Sequence, residues 1–579
     1  MRQTRLLFSL LLAIIMSATG AFAQTVGTTF DYQGCTYKVV KKDLHNTSLN
    51  EVQVLKVGGS GKVVIPTKVQ TPVGMDLEWY NVVGCVPWES KVNNGVTEVE
   101  FSEGFKEINS HSFRSAENLQ KIIIPATCEQ IGLGCFLNCQ KLTEFEVKSG
   151  NIKYKTDGGS LLSKDGKQLV YVPAGKTGDY TVPSGVEEIM PSAFSNCRNM
   201  KKITIPASVS KISENAEYPS FGSSGTHFTV ASGNAKYKDI DGLLCSHDGK
   251  TLVHVPFEYD KLQDPEKKLT VPVGVTTVAQ NAAVNCYMKQ LDLNGTQEIG
   301  NSAFNSCSAL ESVKIGKDVA KIGKGAFTNC PRITAFDVAN DNSHYKSKDG
   351  VIFTEDDKVL LIYPSGKEGV YTVPEGTEKI EESAFADVQK LEEITIAKTV
   401  KTIGQAAFKT AKVLKKVNFT TPSQLEEIGA NAFQNTKLET LTIPATVKKL
   451  GDASFADIKT LTEVHIANGS LLEILPPFLF SNAEKLTKVV FDGTNNLKTI
   501  QSSVFSNCAS LQTFTVPKTV DRIASNAFKG AQALETVLFE EPSVLTSIGN
   551  GAFADCGITH IKLPESIKLI DELAFDHCI

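Results

Sequence analysis

Apolar residues recur along most of the chain with a regular period. A phenylalanine marks each copy, and neighbouring copies are mostly 22 to 25 residues apart. The shared pattern is L-x-x-I-x-I-P-x-x-V-x-x-I-x-x-x-A-F-x-x-C, and a good copy starts at Leu438. Repeats of roughly 20 to 50 residues are typical of solenoids, in which similar units stack on one another. The marker residues are Phe113, Phe136, Phe194, Phe304, Phe327, Phe385, Phe408, Phe433, Phe455, Phe480, Phe505, Phe528, Phe553 and Phe575.

The spacing within one copy predicts a short strand followed by a compact return. In L-x-x-I-x-I the last two apolar residues are two apart, as on one face of a strand. The proline that often follows, such as Pro444, cannot donate a ladder hydrogen bond and ends the strand. The three- and four-residue spacings of V-x-x-I-x-x-x-A-F-x-x-C predict a tight coil or one to two helical turns. One copy cannot fold alone, so we predict an α/β-type repeat solenoid.

Three intervals in the array are longer, two of 58 residues and one of 63. Each contains Asp-Gly steps, such as Asp349-Gly350, beside short β-rich runs. This combination predicts β-hairpins. We therefore expect enlarged, hairpin-bearing repeats near residues 149–187, 231–274 and 339–378. Residues 213–228 fit the repeat pattern least.

The N-terminal part of the chain differs from the array. Arg2 and Arg5 precede a short apolar run, and Ala21-Phe22-Ala23 resembles a cleavage site, which predicts a signal peptide over 1–23. A transmembrane anchor would need about 20 apolar residues. Residues 24–92 lack F-x-x-C but alternate in polarity, which predicts a β-rich cap on an array spanning 93–579. We expect export to the cell surface or the medium, or to the periplasm, without membrane insertion after cleavage.

The repeat motif and the inserts of the form D-G-x-L-x-x-x-D-G-K-x-L-x-x-x-P together resemble the BspA-type leucine-rich repeat family of bacterial surface proteins. The resemblance covers roughly residues 93–579. It implies a right-handed superhelix with a parallel β-sheet on its concave side. It also implies a surface or secreted location, and some members of the family are adhesins for host matrix proteins or other bacteria. The shared motif is core, so no functional residue transfers, and function inferred from fold is an analogy.

Composition and motifs argue against several classes of function. The formal charge of -5, from 59 basic and 64 acidic residues, argues against nucleic acid as a partner. The chain has no HExxH, GxSxG or dinucleotide-binding fingerprint. The phosphate-loop-like segment 56–66 has Val63 where a magnesium-binding Ser or Thr is required, and 238–242 lacks the glycine spacing of a calcium loop. We expect no enzymatic activity, no cofactor and no metal.

Seven of the 13 cysteines follow the marker phenylalanine by three residues. Other copies carry alanine, valine or isoleucine there, such as Ala411 and Val388. A position that accepts all of these is a small buried slot, so we expect free structural thiols rather than disulfides or metal ligands. A bridge among the six cysteines outside the motif stays an alternative.

Binding is expected on the middle residue of each I-x-I segment, which points away from the core. This row is mixed and mostly polar, with apolar Val490 and Leu538 in its last third. Glu463 and His465 lie on one face of a strand. The preferred interpretation is an exported, non-enzymatic protein that binds an extracellular protein or a glycan through many weak contacts. One alternative is an exported enzyme or inhibitor with a site in residues 213–265. Another is a structural spacer that displays another component. The candidate contacts are Lys314, Asp337, Asn418, His465, Val490, Leu538 and Lys562.

Overall fold

The computed structural model describes residues 26–42, 49–71, 78–85, 91–213, 219–222, 224–257, 259 and 267–578. The proposed signal peptide, 1–23, lies outside these residues, as do parts of the proposed cap and of the irregular segment 213–265. The described residues contain β-strands joined by turns, and no α-helix. They form two compact units, Met1–Asp260 with Gln280–Cys286, and Lys261–Ala279 with Tyr287–Ile579.

The first unit begins with a mixed sheet. Cys35–Lys41 pairs with antiparallel neighbours on both sides, and Glu51–Val57 pairs in parallel with Trp79–Cys85. Tyr37 and Tyr80 are buried in the same core cluster as Phe113 of the first repeat. The remaining strands of this sheet are Thr29–Tyr32, Lys68–Gln70 and Lys91–Val92.

Each repeat contributes a longer strand, which we call the face strand, and these pair in parallel with the next repeat. In most face strands the middle residue of I-x-I is more exposed than the apolar residues beside it, as in Val313-Lys314-Ile315. The face strands of the first unit are Gly61–Ile65, Val96–Phe101, Lys121–Ile124, Glu144–Val147, Gly178–Thr181, Met200–Ile205 and His227–Val230. Those of the second unit are Lys268–Thr270, Gln290–Asp292, Ser312–Ile315, Ala335–Val338, Gly369–Thr372, Leu391–Ile396, Lys416–Phe419, Thr440–Ile443, Glu463–Ile466, Lys488–Phe491, Thr513–Val516 and Thr536–Phe539.

A second, two-residue strand, the side strand, follows in most repeats and builds a second parallel ladder. It carries the isoleucine of V-x-x-I, such as Ile403, which is fully buried. The side strands of the first unit are Glu107–Ile108, Gln130–Ile131, Glu188–Ile189 and Lys211–Ile212. Those of the second unit are Thr277–Val278, Glu298–Ile299, Lys321–Ile322, Lys379–Ile380, Thr402–Ile403, Glu427–Ile428, Lys449–Leu450, Ile474–Leu475, Thr499–Ile500, Arg522–Ile523, Ser547–Ile548 and Leu569–Ile570.

The segment around each marker phenylalanine, which we call the Phe turn, is a coil of tight turns and not a helix. In the turn of Phe408, Ala406 and Thr410 have positive φ angles of 51° and 57°, which an α-helix does not contain. The N–H groups of Ala406, Phe408 and Thr410 donate to carbonyls of the next repeat over 2.7–2.8 Å. Backbone bonding between repeats replaces bonding within a helix. The α/β-type description is therefore wrong, and each unit is a β-solenoid.

The marker phenylalanines form a column in the core of each unit. From Phe385 to Phe575, successive ring centroids are 4.6–5.8 Å apart and the planes lie within 20° of parallel. In the first unit, Phe194 and Phe221 stack at 5.0 Å. The predicted stacking of repeats is confirmed by this column.

The motif cysteines pack beside the column as free thiols. Cys330 and Cys508 donate to the carbonyls of Phe304 and Phe480, at 3.2 and 3.3 Å. All 13 cysteines lie within the described residues, and none of them forms a disulfide. Burial raises the pKa of Cys508 to about 12, so these thiols have little thiolate character at neutral pH.

Antiparallel hairpins are inserted after three face strands. A buried asparagine anchors each hairpin. Asn342 donates to the carbonyls of Gly316 and Val319 and accepts from the N–H groups of His344 and Tyr345, all at 2.8–2.9 Å. Asn151 and Asn234 make the same four kinds of bond. The hairpin strands are Tyr154–Asp157, Ser160–Ser163, Gln168–Tyr171, Tyr237–Ile240, Leu243–Ser246, Thr251–His254, Tyr345–Lys348, Val351–Thr354 and Val359–Ile362.

Candidate functional site

Two of the candidate residues lie opposite each other on the second unit's first face-strand sheet. Lys314 and Asp337 are register partners on adjacent parallel strands. Both side chains are exposed, while Val313 and Ile315 on either side of Lys314 are buried. Asp292 is the register partner of Lys314 on its other side. The row therefore places acidic, basic and acidic side chains next to one another on an exposed face.

Asn418 belongs to the next sheet and takes part in a small polar cluster. Its amide donates to Glu393 Oε1 over 2.6 Å, and Lys416 Nζ lies 3.3 Å from the same oxygen. These two hydrogen bonds hold the pKa of Glu393 below its usual value. Thr395 is the register partner of Asn418. Glu393 is therefore already paired within the chain and is not an isolated carboxylate.

His465 is held between two carboxylates. Its Nε2 lies 3.1 Å from Glu463 Oε1, and its Nδ1 lies 3.2 Å from Asp492 Oδ2. Lys488 Nζ lies 3.0 Å from the same Glu463 oxygen. The hydrogen bond from Lys488 is the main cause that lowers the pKa of Glu463. The sequence placed Glu463 and His465 on one face but missed Asp492, which follows the next strand and reaches back to the ring.

The two apolar candidates are not register partners. Val490 is partly exposed and pairs with His465, whereas Leu538 is 55% exposed and pairs with Thr515. Lys562 is exposed but lies outside any strand, so the face strand expected around it does not form. The candidate residues therefore lie on the outward side of successive repeats and do not line a common pocket.

The row is different in the first unit. Ile123, which the I-x-I rule placed outward, is only 4% exposed. Its register partners on the two neighbouring strands are Glu146 and Glu100. Glu146 lies 2.6 Å from Lys121, and Glu100 lies 2.7 Å from Lys62. Paired long side chains shield the apolar one from water.

In the described part of the irregular segment, one histidine, His254, is buried and another, His247, is exposed. His254 is 2% exposed, and its ring lies 5.2 Å from that of Phe221. No group of three or more His, Cys, Asp or Glu side chains in the described residues is placed to hold a metal ion. Among the same residues no helix is long and apolar enough to cross a membrane.

These features define a class of protein, a repeat-built β-solenoid with exposed parallel face strands. A family model for the BspA type leucine rich repeat region matches in six copies, over residues 91–157, 175–225, 264–348, 378–496 and 460–579. The matches cover more than half of the chain. The chain belongs to the BspA-type leucine-rich repeat family, a family of bacterial surface proteins.

Solved structures of bacterial leucine-rich repeat proteins are similar at low sequence identity. A leucine rich cell surface protein from Faecalibacterium prausnitzii is 18% identical with a TM-score of 0.38, over 82% of this chain and 97% of that one. The pneumococcal vaccine antigen PcpA is 19% identical with a TM-score of 0.33, over 89% and 100%. A leucine-rich repeat protein from Bacteroides ovatus is 18% identical with a TM-score of 0.30, over 95% and 92%. No curated protein matches significantly.

Proposed function

We propose that this chain is an exported, non-enzymatic binding protein that recognises an extracellular protein through the exposed side of its face strands, with a glycan as the alternative ligand. The observation that carries the proposal is the exposure of the outward row, with Lys314, Asp337 and Leu538 all open to solvent. Parallel sheets usually have both faces covered. A family of bacterial surface proteins is consistent with a partner met outside the cell.

The chemistry of the row favours many modest contacts. Its members alternate between acidic, basic, small polar and aliphatic side chains, and several are already paired within the chain, as at His465. Stable protein interfaces bury about 1,200–2,000 Å² in total, which requires several adjacent repeats. The small net charge and the mixed signs support a protein or glycan partner rather than a phosphate backbone.

Surface plasmon resonance tests the proposal, with the full chain flowed over immobilised host matrix proteins and glycans. We expect saturable binding to at least one of them, weakened tenfold or more by Asp337→Lys or Leu538→Asp. Lys529→Glu, an exposed change on a Phe turn, serves as the matched control and should leave binding unchanged. Absence of saturable binding to every surface, or equal loss with the control variant, would contradict the proposal.

A further inference from the structure

Phe turns normally stack on one another through three backbone hydrogen bonds. In each pair, N–H groups at the marker phenylalanine and two residues to either side donate to carbonyls of the next turn. The turn of Phe385 shows this pattern: Ser383, Phe385 and Asp387 donate to Gln405, Ala407 and Lys409 at 3.0, 2.7 and 2.9 Å. Every marker turn from Phe385 to Phe553 follows it.

The third hairpin interrupts this stacking because its repeat has a shortened turn. In the preceding repeat, the face strand that starts at Ala335 begins 13 residues after the side-strand residue Ile322. In the hairpin repeat, the face strand that starts at Gly369 begins only seven residues after Ile362, the last residue of the hairpin. Tyr363 occupies the position of the phenylalanine, stacks on Phe385 at 4.7 Å, and makes one of the three usual bonds, to Ala384 O at 2.8 Å. The other residues of a Phe turn have no counterpart in this repeat.

The missing segment leaves unpaired backbone groups on both sides. Within the described residues, the N–H groups of Gly325, Phe327 and Asn329 reach no backbone acceptor, unlike their equivalents in the turns from Phe385 to Phe553. On the opposite side, the carbonyls of Glu382 and Ala386 receive no backbone donor. A row of donors therefore faces a row of acceptors.

A cavity of about 290 Å³ lies between these two turns, and we call it the slot. Its walls include Gly325 and Phe327 on one side and Glu382 and Ala386 on the other. Tyr363 lines the slot and is 2% exposed, and its hydroxyl has no hydrogen-bond partner. A buried polar group without a partner is destabilising, so this hydroxyl marks a place where a ligand group would be stabilised.

The same feature recurs in the first unit at the first hairpin. The N–H groups of Gly134, Phe136 and Asn138 reach no backbone acceptor in the described part of the chain. A cavity of about 240 Å³ lies beside the preceding side strand, lined by residues including Leu133 and Pro191 and not by these three. The loss of the three backbone bonds between turns therefore occurs at both the first and the third hairpin.

The two cavities differ in their polar groups. In the first unit Tyr171 lines the cavity, and its hydroxyl donates to Gly132 O over 2.9 Å. In the second unit the Tyr363 hydroxyl is unpartnered, and the ion pair of Lys324 with Glu382, at 2.7 Å, borders the opening. The slot of the second unit is therefore the better equipped of the two to hold a polar ligand.

We propose that the slot between the turns of Phe327 and Phe385 binds a short extended segment of a partner protein. The peptide carbonyls accept from the N–H groups of Gly325 and Phe327, and a peptide N–H donates to the carbonyl of Glu382. The next carbonyl in that row, Ala384 O, is already bonded to the Tyr363 N–H. Completion of a hydrogen-bonded ladder by a peptide is an established recognition mode. The size of the cavity selects small side chains, and the Tyr363 hydroxyl donates to a carbonyl or hydroxyl of the peptide.

A selection of phage-displayed random heptapeptides on the immobilised full chain tests the slot. Enriched sequences are synthesised as capped fluorescent peptides and measured by fluorescence anisotropy. We expect small-residue peptides to bind and to slow amide exchange across residues 325–329. Ala386→Trp, which fills the slot, should weaken binding tenfold or more, and Tyr363→Phe should weaken it several-fold.

Lys409→Trp is the matched control, since it places the same side chain at the equivalent position of the next turn, and it should leave binding unchanged. Lys and Gln occupy this position in neighbouring repeats, so Ala386→Lys serves as a second blocking variant that folds. Failure to enrich any peptide, or peptides that bind the blocked variants as tightly as the parent, would overturn the proposal. The proposed face-strand function is distinguished by a different pattern of loss. If Asp337→Lys abolished peptide binding and Ala386→Trp did not, the peptides would bind the face strands, and the proposal of a peptide-binding slot would be overturned.

Discussion

The rings of Phe408 and Phe433 lie 4.7 Å apart and only 7° from parallel. Both residues are fully buried, and each ring contacts one ring before it and one after it in the column. A repeat therefore depends on its two neighbours for the burial of its largest side chain. This is the arrangement expected of a fold whose stability is a sum of nearest-neighbour terms.

Truncating one ring of the column should destabilise the second unit. Phe433→Ala removes stacking contacts on both sides and leaves a cavity, so we expect a loss of about 3–5 kcal/mol in the free energy of unfolding, measured by urea denaturation. Phe478→Asn is the matched control. Phe478 is 50% exposed and has a φ angle of 59°, a conformation that Asn tolerates well. Equal destabilisation by the two variants would contradict the role of the column.

The column could be predicted from sequence because a fixed period places one large apolar residue at the same point of every repeat. The conformation of the Phe turn could not be settled, since three- and four-residue spacings suit a helix and a series of tight turns equally. One available signal was Asn431 and Asn435 flanking Phe433, with φ angles of 56° and 57°, because asparagine favours left-handed positions.

The candidate surface was predicted only in part. The I-x-I rule located exposed residues such as Lys314, but it failed at Ile123, where paired charged side chains cover the surface. Asp492 was missed because its contact with His465 depends on where a chain segment turns after a strand. The slot was not foreseeable, since it consists of backbone groups left without partners.

The asparagine that anchors each hairpin should be required for hairpin order. In Asn342→Asp the two donated bonds to Gly316 and Val319 are lost, and a carboxylate faces two carbonyls in a buried place. Since each unsatisfied buried group costs about 1–3 kcal/mol, we expect a loss of at least about 2 kcal/mol. Hydrogen exchange across 345–362 should accelerate. Asp341→Asn, on the exposed neighbour, should change neither quantity, and unaltered exchange in Asn342→Asp would show that the anchor is dispensable.

The thiols should be unreactive in the native chain. Twelve cysteines are buried, and burial raises the pKa of Cys139 to about 12. Cys578 is only partly buried. Labelling with Ellman's reagent at pH 8 should therefore show at most one rapidly reacting thiol, lost in Cys578→Ser, and all 13 in guanidinium chloride. An intact mass two daltons lower per bridge, or several fast thiols, would contradict free buried cysteines.

A buried histidine should make the first unit sensitive to acid. His254 is 2% exposed, and its Nε2 has no hydrogen-bond partner. Burial lowers its pKa to about 3, against a smaller opposing effect of a hydrogen bond with the Gly222 backbone. An unfolded histidine has a pKa of about 6.5. Between these two values the unfolded chain binds a proton that the folded chain excludes, so the stability contributed by the neutral ring is complete above pH 6.5 and is lost as the pH falls.

The slope approaches about 1.4 kcal/mol per pH unit well below pH 6.5, so His254 alone should account for a loss of roughly 2.3 kcal/mol between pH 6.5 and 4.5. His254→Phe should remove this component, since the ring already packs against Phe221 and Phe228. Denaturant unfolding at pH 7.5, 5.5 and 4.5 measures the difference between variant and parent, which cancels the contribution of the carboxylates. The exposed His247 provides the control, because His247→Gln should retain the slope of the parent. If His254→Phe loses stability with acid as steeply as the parent, the ring is not excluded from protonation in the folded chain, and another group causes the acid sensitivity.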